Sequence, residues 1–279
     1  MKKFILLLTL LCLSLSAWAH DAEVDGIFYN LDADNKTATV TFKGRYYDSY
    51  DNEYSGDVVI PETVTYDGIT YSVTSLGDYC FMWCSSLTSI TIPNSVTSLG
   101  DYCFRDCSSL TSITIPNSVT SLGDYCFYGC RSLTSITLGN SVTNLGDYCF
   151  WACSRLTSIT IPNSVTSLGD CCFENCSSLT SIYMLPSTPP STGSNMFYNA
   201  PLETVYVVDE DAKTAYQAQV PWSEYEIVVM PTGIEEVETD KTAPTIVGYY
   251  DLNGKLINGK QRGTVIVRYS DGTTRKVLK

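Results

Sequence analysis

The stretch SLTSITIPNSVTSLGDYCF occupies residues 86–104 and is repeated without a single change at residues 109–127. Near copies continue the same register before and after it. The valine of this motif recurs every 23 residues, at Val73, Val96, Val119, Val142 and Val165. A fixed period of this length is typical of stacked structural units that each contact mainly their neighbours. Because an enzyme needs unlike residues that converge on one point, identical units favour a repeated surface over a catalytic centre.

The first part of the unit has the pattern of a β-strand. Ile90 and Ile92 are apolar and are separated by the polar Thr91, which is the alternation of a strand with one buried face. Pro93 is expected to end this strand, since proline has no N–H to donate to a continuing ladder. The next segment, residues 96–99, predicts a second short extended piece.

The second part of the unit is expected to form one helical turn. Gly100 turns the chain, and the carboxylate of Asp101 can cap the turn. Cys103 and Cys107 are four residues apart, so on a helical turn both can face the interior beside Phe104. One unit cannot bury this face alone, whereas stacked units form a continuous core. The sequence therefore predicts an α/β repeat solenoid of 23-residue units.

The pattern F-x-x-C-x-x-L-x-x-I-x-I-P-x-x-V-x-x-L-G resembles the BspA-like leucine-rich repeat family of bacterial surface proteins. It runs nearly letter for letter from residue 73 to about residue 182, with degenerate copies at residues 60–64 and 197–207. The resemblance implies a leucine-rich-repeat horseshoe with a non-catalytic role in adhesion or protein binding. This chain has cysteine where the family usually has alanine before the phenylalanine. Because both are small buried apolar groups, the exchange indicates packing rather than cysteine chemistry.

The sequence divides into six segments. Lys2 and Lys3, followed by a short apolar run and small residues before His20, predict a signal peptide that is too short to span a bilayer. No later stretch is apolar enough for a span, so we expect export to the cell surface or the extracellular space without membrane insertion. The predicted boundaries are 1–19 for the signal peptide, 20–72 for a β-rich N-terminal cap with a first degenerate repeat, 73–182 for five repeats, 183–230 for a degenerate repeat and a C-terminal cap, 231–244 for a linker, and 245–279 for a β-hairpin module.

The C-terminal module has two hairpin signals, Asn253-Gly254 and Asp271-Gly272. The module resembles the C-terminal sorting domains of type IX secretion in Bacteroidetes. The resemblance is carried by the order of Tyr250, Asp251 and Gly254, followed by Gly263 and a basic C-terminus. This resemblance implies the export machinery as a partner. A plain stabilising hairpin module is the alternative.

The formal net charge of the chain is −13. Such a charge repels phosphate backbones and anionic lipids, so nucleic acid and membrane surfaces are not expected as partners.

Residues that could carry out catalysis are few. The repeats contain no histidine that could serve as the base for a serine or cysteine nucleophile. The aspartates recur at equivalent positions, which indicates a structural role. We expect no catalytic residue and no cofactor.

Cysteine is the most conspicuous candidate for a metal or redox site. Of the 12 cysteines, one lies in the predicted signal peptide and ten form five C-x-x-x-C pairs in the repeats. Zinc would need four converging ligands, and the single histidine, His20, stands at the predicted cleavage point. Disulfides are plausible in an exported protein. Buried free thiols are favoured over disulfides, and over a metal site, because the pairs are expected to face the core.

Two surfaces remain as candidates for binding. The outward position of the main strand gives one column: Thr91, Thr114, Thr137, Thr160, Tyr183 and Tyr206. Residues after each repeated phenylalanine break the repetition and give the other set: Trp83, Arg105, Tyr128 and Trp151. The alternatives are that threonine simply suits an exposed strand and that solvated positions drift. The expected partner is a host protein or a bacterial surface protein; a glycan in polysaccharide capture, held by the aromatic residues of either set, is the alternative.

Overall fold

The computed structural model describes residues 20–44, 46 and 52–230 with their side chains, together with the backbone of four strands between residues 246 and 278. The predicted signal peptide and the predicted linker lie outside the described residues. The chain divides into two compact units. The first comprises Met1–Pro186 and Pro190–Glu203, and the second comprises Ser187–Pro189 and Thr204–Lys279.

The first unit begins with six strands. These are β1 (Ala22–Val24), β2 (Ile27–Asp32), β3 (Thr37–Thr41), β4 (Gly56–Val59), β5 (Thr63–Tyr66) and β6 (Ile69–Leu76). Strands β1, β2 and β3 form an antiparallel meander, and β3 pairs with β6 in parallel. Asp67 and Gly68 both have positive φ and join β5 to β6 in a hairpin, with Tyr66 opposite Ile69.

The repeats form the predicted solenoid. Each coil contributes a main strand and a two-residue strand: β7 (Leu87–Thr91), β8 (Ser98–Leu99), β9 (Ser112–Thr114), β10 (Ser121–Leu122), β11 (Ser135–Thr137), β12 (Asn144–Leu145), β13 (Ser158–Ile161), β14 (Ser167–Leu168), β15 (Ser181–Met184) and β16 (Ser191–Thr192). Equivalent strands pair in parallel one period apart, as Ser112 does with Ser135 and Leu99 with Leu122. The coils are therefore stacked in the register of the sequence repeat.

The core of the solenoid is a set of buried columns. Phe81, Phe104 and Phe127 are fully buried, and their rings stack face to face with centroids 5.1 Å and 5.2 Å apart. Phe150 and Phe173 continue the column at 5.4 Å. Identical rings stacked at close to the spacing of neighbouring strands pack the interior of the solenoid.

The segment after each glycine is not helical, so the predicted helical turn is wrong. The chain instead makes consecutive tight turns, in which Tyr79 and Trp83 have φ near +60°. Alternate N–H groups point in different directions. Those of Cys80 and Met82 donate within the coil, whereas that of Phe81 donates to the carbonyl of the next coil at 2.8 Å. Because a helix would direct every N–H along its own axis, it could not supply this ladder between coils.

The repeated aspartate also has a different role from the predicted cap. The Asp101 carboxylate accepts the N–H of Asp124 in the next coil at 2.8 Å, and Asp124 accepts that of Asp147 at 2.8 Å. The carboxylate therefore caps the backbone of its neighbour rather than a turn of its own. The adjacent glycine makes this possible, since a Cβ on Gly123 would lie 2.6 Å from the Asp101 Oδ1.

The second unit contains both helical elements of the described chain. It has β17 (Thr204–Val207), α1 (Glu210–Gln217), a 3-10 turn (Trp222–Glu224) and β18 (Glu226–Val229), and β17 pairs with β18 in parallel. Asp209 caps α1 by accepting the N–H of Ala212 at 2.7 Å. Tyr216 and Trp222 are buried against each other, with ring centroids 5.3 Å apart. This strand–helix–strand segment lies within the predicted C-terminal cap, residues 183–230.

A separate four-stranded sheet ends the chain. Its strands are β19 (Ile246–Tyr250), β20 (Leu256–Ile257), β21 (Thr264–Tyr269) and β22 (Thr274–Leu278), in the spatial order β20-β19-β21-β22. The antiparallel pairs β19–β20 and β21–β22 flank the two predicted hairpin turns. Within the described part of the chain, no helix has both the length and the apolar character needed to cross a bilayer.

Candidate functional site

The outer face of the main strands is polar. Thr91, Thr114, Thr137 and Thr160 are exposed there, and the isoleucines that alternate with them are buried. At the N-terminal end the Asp57 carboxylate accepts the hydroxyls of Thr88 and Ser89 at 2.9 Å and 2.8 Å. These hydrogen bonds hold the pKa of Asp57 below its usual value. The strand face is thus a uniform array of hydroxyls.

The two tyrosines predicted to end the threonine column are half-buried. Tyr183 lies on β15 in the first unit, opposite Thr160 on β13. Tyr206 lies on β17, which belongs to the second unit. The described structure therefore assigns the members of the predicted column to two compact units.

The non-repeated side chains line one edge of the solenoid, here called the variable edge. It consists of the two positions after each core phenylalanine: Met82-Trp83, Arg105-Asp106, Tyr128-Gly129, Trp151-Ala152, Glu174-Asn175 and Tyr198-Asn199. The second position of each pair has positive φ, from 54° at Ala152 to 71° at Gly129. This conformation directs the chain back toward the next main strand. Most of these side chains are partly exposed, although Met82 is buried.

Three of the predicted edge residues form one continuous stack. The rings of Tyr128 and Trp151 are parallel, with centroids 4.3 Å apart. The guanidinium of Arg105 lies over Tyr128 at 4.9 Å and also contacts Asp106, with its Nε 3.3 Å from the carboxylate. A guanidinium over an aromatic ring is attracted by the negative face of the π system. The sequence predicted only that these side chains share one set of positions in the repeat. The structure shows that Arg105, Tyr128 and Trp151 are in contact.

A column of tyrosines that the sequence analysis missed runs beside this stack. Tyr79, Tyr102, Tyr125 and Tyr148 stack in order, with centroids 4.9 Å, 4.6 Å and 4.8 Å apart. All four have positive φ and are half-buried. Desolvation raises the pKa of Tyr102 and Tyr125. The signal was the recurrence of tyrosine every 23 residues, which resembled a structural position because it changes in the repeats only at Cys171.

Trp83, the fourth predicted edge residue, lines an open cleft instead. The cleft has a volume of about 540 Å³ and is lined by Asn52, Trp83, Ser85, Asp106, Ser108 and Arg131. The Asn52 side-chain oxygen accepts the hydroxyl of Ser85 at 3.0 Å and the N–H of Ser86 at 2.8 Å. These bonds fix the N-terminal region against the first full coil. Asn52 and Arg131 were not predicted, because neither belongs to the positions after a core phenylalanine.

The eleven cysteines among the described residues are buried free thiols. In four of the five pairs the second cysteine donates its S–H to the phenylalanine carbonyl of the preceding coil. This distance is 3.0 Å from Cys107 to Phe81 and 3.1 Å from Cys130 to Phe104. Burial raises the pKa of Cys103 and Cys107 well above the ordinary value of 9.0. Thiols in this state are neither nucleophiles nor metal ligands, since both roles need the thiolate. Within the described residues, no three His, Cys, Asp or Glu side chains are arranged to hold a metal ion.

Comparison with known proteins agrees with this architecture. The family model described as "BspA type Leucine rich repeat region" matches the chain in 6 copies, over residues 62–117 and 97–218. These matches span more than half of the chain. No curated protein is significantly similar to it.

Two solved structures have a similar fold. A leucine-rich repeat protein from Bacteroides ovatus is 26% identical with a TM-score of 0.52, over 68% of this chain and 60% of that one. A leucine rich cell surface protein from Faecalibacterium prausnitzii is 22% identical with a TM-score of 0.53, over 92% of this chain and 60% of that one. The chain thus spans 60% of the length of either structure. From the six matched repeats and the coils that they form, the chain belongs to the BspA-type leucine-rich repeat family.

Proposed function

We propose that this protein is exported and surface-associated, and that it binds a protein partner in adhesion, without catalysis, through the variable edge of its solenoid. One observation carries the proposal: Arg105, Tyr128 and Trp151 form a continuous stack on the edge of the solenoid where the residues differ from coil to coil. Tyrosine, tryptophan and arginine dominate the energetics of protein interfaces. Because the stack fixes these side chains before binding, little conformational entropy is lost when a partner docks.

The stacking favours a protein over a glycan. A sugar that packs on an aromatic residue needs an open ring face. One face of Tyr128 is covered by Arg105 and the other by Trp151. Both faces of Tyr102 and Tyr125 are covered by their neighbours in the column. What these rings offer to solvent is their edges and hydroxyl groups, which suit the mixed polar and apolar contacts of a protein interface better than polysaccharide capture.

Family and location support the same proposal. Repeats of this family are in general non-catalytic. The repeated aspartates are occupied with backbone hydrogen bonds, as in the pair Asp101 and Asp124. Surface location is supported by the predicted signal peptide and by the sorting-domain resemblance of residues 245–279, for which the partner would be the export machinery.

The test is a binding screen with matched variants. The purified protein would be presented to immobilised host matrix proteins, to bacterial surface proteins and to a glycan array. Tyr128→Ala combined with Trp151→Ala should weaken binding to the protein that is captured. Thr114→Ala combined with Thr137→Ala, on the strand face, is the control and should leave it unchanged. Binding that is confined to glycans, or that survives the edge variant but not the control, would contradict the proposal.

A further inference from the structure

We infer that the cleft beside Trp83 receives an acidic side chain of the protein partner, with Arg131 as the group that binds its carboxylate. The partner then contacts the variable edge through a segment in which aspartate or glutamate stands next to an apolar residue. This inference rests on the proposed function and names the chemistry of the partner at one end of the same edge.

The distribution of positive charge is the first argument. From residue 46 to residue 212 the sequence has no lysine, and its cationic side chains are Arg105, Arg131 and Arg155. All three lie between a core phenylalanine and the next leucine of the repeat, so all three belong to turns on one side of the coils. A chain with a formal net charge of −13 therefore concentrates its repeat-region cations where the non-repeated aromatics also lie. Such an arrangement attracts and orients a negatively charged partner.

The local charge balance of the cleft is the second argument. Among the described residues that line the cleft, Asp106 is the acidic one, and its carboxylate is paired with Arg105 at 3.3 Å. It also lies against Gly129, in space that a Cβ at that position would need. Arg131 is exposed, and no ion pair of its guanidinium is found among the described residues. The opposite charges of Arg105 and Asp106 offset each other. The positive charge of Arg131 is therefore available to an acidic group of the partner.

The remaining lining groups suit a carboxylate flanked by apolar atoms. The Asn52 side-chain oxygen accepts from Ser85 and Ser86, and the amide N–H groups of the same side chain are further donors in the lining. Ser108 adds a hydroxyl to the lining, and the half-buried Trp83 adds an indole. Arginine binds a carboxylate with two parallel hydrogen bonds, which gives direction as well as charge. The cleft thus combines donors for an anion with an apolar wall.

A phage-displayed library of random short peptides, selected on the purified protein, tests the inference. Selection should enrich peptides with aspartate or glutamate beside an aliphatic or aromatic residue. A synthetic peptide of that sequence should lose about tenfold or more in affinity for Arg131→Gln, which removes the charge-assisted bonds. Arg155→Gln removes an exposed arginine of the same turns outside the cleft and is the matched control; it should change affinity by less than about twofold. Because both arginines are exposed, the urea unfolding midpoints should stay equal.

Several outcomes would overturn the inference. Selected peptides without acidic residues would do so, as would equal losses in Arg131→Gln and Arg155→Gln. Binding of a uronic-acid oligosaccharide that depends on Arg131, with no peptide selected, would assign the cleft to an anionic glycan instead. Peptides that need Tyr128 and Trp151 but not Arg131 would overturn this inference alone. Peptides whose binding depends neither on Arg131 nor on Tyr128 and Trp151 would overturn the proposed function as well.

Discussion

The thiol of Cys107 is completely buried and donates to the carbonyl of Phe81 in the preceding coil. The same bond recurs from Cys130 to Phe104, and from Cys153 to Phe127 at 3.3 Å. Each of these cysteines therefore fills core volume and satisfies a carbonyl acceptor at once. Neither role needs oxidation or a metal. The cysteines act as packing groups whose sulfur also links one coil to the next.

Cys107→Ala should lower the free energy of unfolding by about 1–2 kcal/mol, because it removes a buried sulfur and a hydrogen bond. Cys130→Ala, the equivalent change one coil later, should lower the free energy of unfolding by the same amount to within a few tenths of a kcal/mol. Urea unfolding measures both. Dithiothreitol should leave the melting temperature of the wild-type protein unchanged, since the thiols are free. A melting temperature that falls on reduction would show that disulfides stabilise the fold.

The same thiols make the protein sensitive to alkali. Burial raises the pKa of Cys84 and Cys176 to about 12 and that of Cys107 well above 9.0, the value at which an exposed thiol ionises. Above pH 9 the unfolded chain releases protons that the folded chain retains. The free energy of unfolding should therefore be unaffected below about pH 9, and should fall above it by about 1.4 kcal/mol per pH unit for each such thiol.

Urea unfolding from about pH 7 to about pH 11 measures this slope. The double variant Cys107→Ala and Cys130→Ala removes two of the ionising groups. Its stability should decline less steeply with pH than that of the wild type, by about twice 1.4 kcal/mol per pH unit. A stability that does not change between pH 9 and pH 11 would mean that the thiols ionise equally in the folded and unfolded chains.

At the scale of the element, the coil is held by ladders that run between repeats. The aspartate ladder is the clearest, since each carboxylate accepts a backbone N–H from the next coil, as Asp124 does from Asp147. The rings of Phe127 and Phe150, with centroids 5.4 Å apart, form a second ladder in the core. Both depend on identical residues at identical positions. Such ladders need the same residue in each coil, which accounts for the same nineteen residues standing twice in the chain.

Asp124→Asn and Asp124→Ala separate the hydrogen bond from the charge. Asparagine keeps the acceptor for the Asp147 N–H and removes one of a row of like charges, so stability should be equal or slightly higher. Alanine leaves the N–H without its partner, and the free energy of unfolding should fall by about 1–2 kcal/mol. Urea unfolding of both variants decides the matter. A loss in Asp124→Asn as large as in Asp124→Ala would mean that the charge, not the acceptor, stabilises the coil.

Periodicity and alternation were sufficient to predict the solenoid and its main strands. Ile90 and Ile92 flank an exposed threonine in the structure as in the sequence pattern. The turn after Gly100 could not be predicted in the same way. Its cysteines are spaced four apart, which also fits a helix, and what excludes the helix is a set of hydrogen bonds to another coil. Local sequence carries no signal for bonds of that kind.

The candidate site was predicted in part for a similar reason. Non-repetition identified Tyr128 and Trp151, because variable positions in a repeat are visible without a structure. The cleft needed the fold. Asn52 lies more than thirty residues before Ser85 and meets it only through the placement of the N-terminal region on the first coil. The charge of Arg131 gains its significance only when Asp106 is seen to pair with Arg105.

At the scale of the whole molecule, the C-terminal sheet is set apart by both hydrogen bonding and charge. Strands β19–β22 pair with one another in one sheet. From residue 255 to residue 279 the sequence has seven basic residues and one acidic residue, in a chain whose formal net charge is −13. The separate sheet and the opposite charge are the two observations that support our proposal that export machinery recognises this module.

Deleting residues 248–279 should therefore leave the solenoid folded, with a melting temperature shifted by no more than a few degrees, because the buried columns of the repeats lie outside the deleted segment. In a host with type IX secretion, the intact protein should reach the cell surface while the truncated one stays in the periplasm. Surface labelling with cell fractionation distinguishes the two locations, and circular dichroism of the purified truncated protein provides the folding control. A truncated protein that is folded and still reaches the surface would show that this module has a structural role only.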